Sequence, residues 1–92
     1  MSEPDDELMS LARLGIDAEA FMGTKLGRFL HQKATDEILE ATSELIAADP
    51  ADAKANTDIR NKIHVANMFL VWMRESINVG HAAHDQLRAL DE

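Results

Sequence analysis

The chain has no cysteine. That excludes a disulfide framework and thiolate chemistry, and it suits a reducing cytoplasm. It also has no tyrosine, only two prolines and only four glycines. Ala, Leu, Glu and Asp fill the space that turn and strand residues would take, so the composition is that of an all-α protein. No apolar run approaches the roughly 20 residues that cross a bilayer, and the first residues are acidic rather than a basic-then-apolar leader. Positive charge is scarce: 9 Lys and Arg face 17 Asp and Glu, a net charge of -8. Such a balance argues against general binding to duplex DNA, where neutralising phosphates dominates affinity. It leaves room for a local basic pocket or a basic partner. The length suits a single helical domain, residues 1–92.

What the chain does have is one long amphipathic stretch, Ile59 to Leu90. Read in sevens, Ile59, Ala66, Met73, Gly80 and Leu87 form one column, and Ile63, Leu70, Ile77 and His84 a second. Phe69, Ala83 and Leu90 form a third, and Val65, Trp72 and Val79 a fourth. Adjacent on a helical wheel, these columns make an apolar face about half the helix circumference, wider than the seam of a two-stranded coiled coil. Such a face calls for more than one neighbour. The segment Met68 to Met73 is apolar all the way round. Phe69, Leu70, Trp72, Met73 and Ile77 are therefore the expected core and oligomer-forming residues.

In chain order, a short helix is expected over 3–14, with Ser2 as a cap and Pro4 in the first turn. Asp5, Asp6 and Glu7 would favour the positive end of its dipole. Gly15 reads as a left-handed stop. Asp17 then caps a second helix over 17–48, whose stripe is Leu30, Ala34, Ile38, Ala41, Leu45 and Ala48. Gly23 and Gly27 lie inside it and mark either a weak, kinked third or the close approach of a backbone or ligand. Asp49 to Asp52 is the turn, with Asp49 as cap and Pro50 in the first helical position. The third helix covers 53–90, on the order of 50 Å.

Long helices joined by a tight turn pack antiparallel. The expected architecture is thus an N-terminal helix plus a long antiparallel hairpin. A lone hairpin leaves the wide face wet, and a small domain without disulfides or metals usually assembles, so a homo-oligomer is expected. Pairing about the turn brings Arg60 to Glu40 or Glu44. At the open end it gathers Lys25, Arg28, Arg74 and His81, with Glu19 able to approach. With Asn67 these are the candidate ligand-binding residues, suited to a phosphate or carboxylate. The competing use is inter-subunit pairing with Asp5 to Glu7.

Other chemistry is thinner. His81 and His84 are one helical turn apart beside Asp85, a spacing that can ligate zinc, but no third strong ligand accompanies them. Glu37, Glu40 and Glu44 share a helix side without the Glu-x-x-His partners of a carboxylate-bridged metal bundle. No nucleophile–base pair or phosphate loop is present. The expectation is a protein with no metal, no cofactor and no enzymatic activity.

Several landmarks carry a resemblance: Leu26-Gly27-Arg28-Phe29-Leu30, Asp49-Pro50, Asn61-Lys62-Ile63, and Trp72-Met73 followed by Ile77, Gly80 and Ala83. In these the chain resembles small helical proteins encoded among bacteriophage structural genes. In size, helix order, turn proline and the Trp of the last helix it is similar to the phage anti-CBASS sponges. Those are compact hexamers that sequester cyclic oligonucleotides in pockets between protomers. The resemblance implies an anti-defence sponge in the cytoplasm of the infected bacterium. Lys25 and Arg74 would hold phosphates, Arg28 would pair or stack, and Asn67 would read a base edge. The alternative is a virion or head-assembly accessory. A third is an acidic inhibitor of a host nucleic-acid enzyme.

Overall fold

The computed structural model describes residues 3–91, and the side chains from residue 5 onward. It is all-α: α1 spans Glu3–Gly23, α2 Lys25–Ala47 and α3 Ala53–Leu90, with no strand among the described residues. No helix in this range is long and apolar enough to cross a membrane.

The long helix α3 is the element against which the other two lie. α1 runs opposite to it along its C-terminal half, with Gly15 against Gly80 and Glu19 against His81. Residues 48–52 then reverse the chain, so that α3 returns along α2, where Lys62 meets Glu44 at 3.6 Å. The molecule is long and flat, 59 × 28 × 17 Å.

The first helix differs from expectation. α1 does not stop at residue 14, and no new helix starts at Asp17; it continues through Gly15 to Gly23, and the second helix begins at Lys25 rather than 17. The physical reason lies in packing. Ala12, Gly15 and Ala18 are the buried face of α1, and they share one face only if the helix runs unbroken. No glycine has a positive φ, so Gly15 is not a left-handed stop. It is there for its missing side chain: a Cβ on Gly15 would lie 2.6 Å from Gly80 Cα, and one on Gly80 2.5 Å from Gly15 Cα. The two backbones touch, and no side chain separates them. Ser2, the expected cap, lies outside the described residues.

The α2 stripe is as its period implies, with Ala34 and Ala41 buried and Leu30, Ile38, Leu45 and Ala48 half-buried. The turn keeps its place but moves its cap. Asp49 accepts from Ala51 N at 2.9 Å within the turn, and Asp52 is the N-cap of α3, accepting from Ala55 N at 3.0 Å. Pro50 sits in the turn rather than in the helix. Across the seam, Lys62 rather than Arg60 reaches Glu44.

The interior is a seam of small residues: Ala12, Ala18, Ala34, Ala41, Ala66, Ala83 and Ile59 are buried with Gly15, Gly27 and Gly80. No large side chain is fully buried among the described residues. Phe69, Leu70, Met73 and Ile77 are half-buried, and Trp72 is exposed. Of the apolar girdle of α3, Met68 and Val71 are half-buried as well, so Trp72 is its one exposed residue.

Candidate functional site

The basic residues of α2 sit at a corner built from backbone hydrogen bonds. α1 ends at Gly23, and Thr24 is the single non-helical residue before α2, extended at φ -75 and ψ 163. Its hydroxyl accepts from Gly27 N at 3.0 Å and donates to Phe21 O at 2.5 Å, so one side chain ties off both helix ends. Gly27 packs directly on the Phe21 carbonyl, where a Cβ would collide with backbone. Of the two uses open to the glycine pair, Gly27 serves close backbone approach. Gly23 has open space around it.

Arg28 reaches back over this corner, its Nη1 donating to Gly23 O at 2.9 Å. α1 has no basic residue in its own last turn, so Arg28 supplies the cation its carbonyl end attracts. Among the described residues Lys25 has no such partner. It occupies the first turn of α2, where no acid is present and the dipole favours negative charge.

On α3, Asn67, Arg74 and His81 follow one another at intervals of seven, roughly 10 Å apart along one side. Lys25, Arg28, Asn67, Arg74 and His81 are all exposed. His81 is already engaged: its Nε2–H donates to the Glu19 carboxylate, linking α3 to α1. Among the described residues no carboxylate lies in ion-pair range of Lys25, Arg28 or Arg74. Arg13, Arg60 and Arg88 share that condition, so what sets Lys25 apart is its place at a helix N-terminus.

Two hollows lie away from Lys25, Arg28, Asn67 and Arg74. Beside the glycine crossing is one of about 130 Å³, lined by Ala12, Gly15, Ile16, Glu19, Ile77, Gly80, His81 and His84. A wider hollow of about 470 Å³ lies at the far end among Asp5, Met9, His84, Leu87, Arg88, Leu90 and Asp91. Neither is lined by Lys25, Arg28, Asn67 or Arg74, so one chain does not enclose a ligand with these side chains in either. Among the described residues no group of three His, Asp or Glu is placed to hold a metal ion.

Sequence reasoning overlooked Thr24, the residue that organises the corner. Its signal is the order Gly23-Thr24 followed by Gly27: a glycine that ends one helix, a hydroxyl that caps the next. The pairing of Gly15 with Gly80 was not legible: Gly80 lies in an apolar column of the third helix, but Gly15 reads as a stop. No family model, curated protein or solved structure matches the chain.

Proposed function

We propose that the chain is a non-enzymatic binding protein of bacteriophage type that works as a homo-oligomer and holds a phosphate-bearing ligand where protomers meet. The observation that carries this is the charge at the α1–α2 corner. Lys25 stands at the positive end of α2 with no acid in that turn, an arrangement that costs about 0.3–1 kcal/mol unless an anion offsets it. A bound phosphate would offset it, and the backbone N–H groups of a helix start suit such a group. Arg28 beside it and Arg74 on α3 offer two-point contacts to phosphate oxygens. The hollows at the glycine crossing and at the far end are not lined by these side chains, and in this reading a neighbouring protomer completes the pocket. A cyclic oligonucleotide signal is the most concrete ligand, taken up in the host cytoplasm, with Asn67 reading a base edge.

A second reading draws on the exposed acids Asp6 and Glu7 at the start of α1. In a virion or head-assembly accessory these would meet the basic corner of the next copy, and the cations would lock subunits instead of holding a ligand.

Native mass spectrometry of protein taken directly from cells, before and after adding cyclic di- and trinucleotides, separates the two. The sponge reading expects a closed oligomer carrying nucleotide mass, lost in Lys25→Ala and Arg74→Ala. An oligomer that binds none of the panel overturns it. Loss of the oligomer itself in Lys25→Ala supports subunit locking.

A further inference from the structure

α3 carries two apolar seams, and its own chain covers one of them. The inner seam contains Ile59, Ala66 and Gly80, all buried. The outer one contains Val65, Trp72 and Val79, which are 70%, 60% and 45% exposed. These three are seven residues apart, so they align along one side of the helix over roughly 21 Å. Phe69 and Ser76 fall between them, giving the spacing four, three, four, three of a coiled-coil seam.

The chain as a whole has surface to spare, of which this stripe is one part beside Ile16, Leu26, Phe29, Leu39 and Ile46 on the other two helices. The chain exposes 6836 Å². A compact monomer of 10.2 kDa exposes about 5300 Å². The surplus of about 1500 Å² compares with about 800 Å² that one partner contributes to a stable interface. The radius of gyration says the same: 18.5 Å against about 12 Å for a compact domain of this length.

The stripe is also self-matching. Trp72 lies at the midpoint of α3, with a valine seven residues to either side. A two-fold axis at Trp72 therefore sets Val65 opposite a second copy's Val79. Positions 65, 69, 72, 76 and 79 carry no charge, so two chains of net charge -8 can approach there without like charges meeting. Antiparallel pairing keeps the two acidic α1 starts at opposite ends and opposes the α3 dipoles.

We propose that a second copy of this chain seats on the Val65–Trp72–Val79 stripe, α3 against antiparallel α3, with Trp72 at the two-fold axis. The proposal rests on the assembled state put forward above and assigns its surface. The absence of native cysteine makes single-cysteine variants clean probes. Trp72→Cys should oxidise to a covalent dimer, since a two-fold contact brings the two Cα atoms within disulfide range. Mixed Val65→Cys and Val79→Cys proteins should form the heterodimer in preference to either homodimer. Trp72→Glu should shift the mass in sedimentation at least twofold downward while circular dichroism keeps its helical signal, because the side chain is exposed in the monomer. If Trp72→Glu keeps the wild-type mass and Trp72→Cys does not cross-link, the surface is wrong while the assembled state stands. A wild type that sediments as a monomer overturns both.

Discussion

The two halves of α3 are packed by different means. Along its C-terminal half, α1 and α3 meet glycine on glycine, and backbone touches backbone at Gly15 and Gly80. Along its N-terminal half, α2 and α3 meet through alanines, Ala34 and Ala41 on one side and Ala66 on the other, with Ile59 among them. There the gap is bridged by a long ion pair, Lys62 to Glu44. One helix with one apolar period thus supports two kinds of contact, and the size of the residue in the seam column selects between them.

The sharpest way to break this contrast is to give the crossing a side chain. Gly80→Ala places a methyl 2.5 Å from Gly15 Cα, and neither backbone can yield without lifting α1. A loss of about 1–3 kcal/mol is expected in denaturant titration at fixed protein concentration, despite the better helix propensity of alanine. A net gain in stability would show that the crossing is loose. Next in size is the corner that sets the angle of α1. Thr24→Ala removes a cap that serves both helix ends and should cost about 1 kcal/mol, with amide exchange rising first in α1.

Gly23→Ala should act in the opposite direction. Gly23 has ordinary backbone angles and nothing within 4 Å, so alanine should stabilise the protein by about 0.5–1 kcal/mol. The pair Gly23 and Gly80 thereby separates a glycine that is merely tolerated from one that the fold requires. Smallest of all is the ion pair of the alanine half. Lys62 and Glu44 are more than half exposed, so Lys62→Ala should change stability by about 0–1 kcal/mol, and by less in high salt.

Much of the fold was legible because periodicity reports burial. The stripe of α2 follows from the spacing of its apolar residues, and the start of α3 from the turn at Asp49 to Asp52. What was not legible turned on glycine. Gly15 reads as a stop because glycine most often marks one, and its actual use depends on Gly80, distant in sequence. Misplacing that stop moved the helix break from Gly23 to Gly15 and hid Thr24 as a cap. For the candidate site, sequence reasoning anticipated that Glu19 could approach His81, and the two are paired. It did not anticipate that Arg28 would be drawn to the Gly23 carbonyl, because that contact exists only once the chain breaks there.

The corner at Thr24 has one more consequence, which concerns the lengths this chain can have. Thr24 is the whole of the linker between α1 and α2, so the rotational phase of one helix is keyed to that of the other. A single residue inserted ahead of Ala34 would turn Ala34 and Ala41 by about 100° away from α3. Seven residues would turn them by only about 20° while adding roughly 10 Å. α3 would then need seven of its own to keep Gly80 under Gly15. Length variation compatible with this architecture therefore comes as matched heptads, one in each arm, and unpaired insertions belong in residues 48–52.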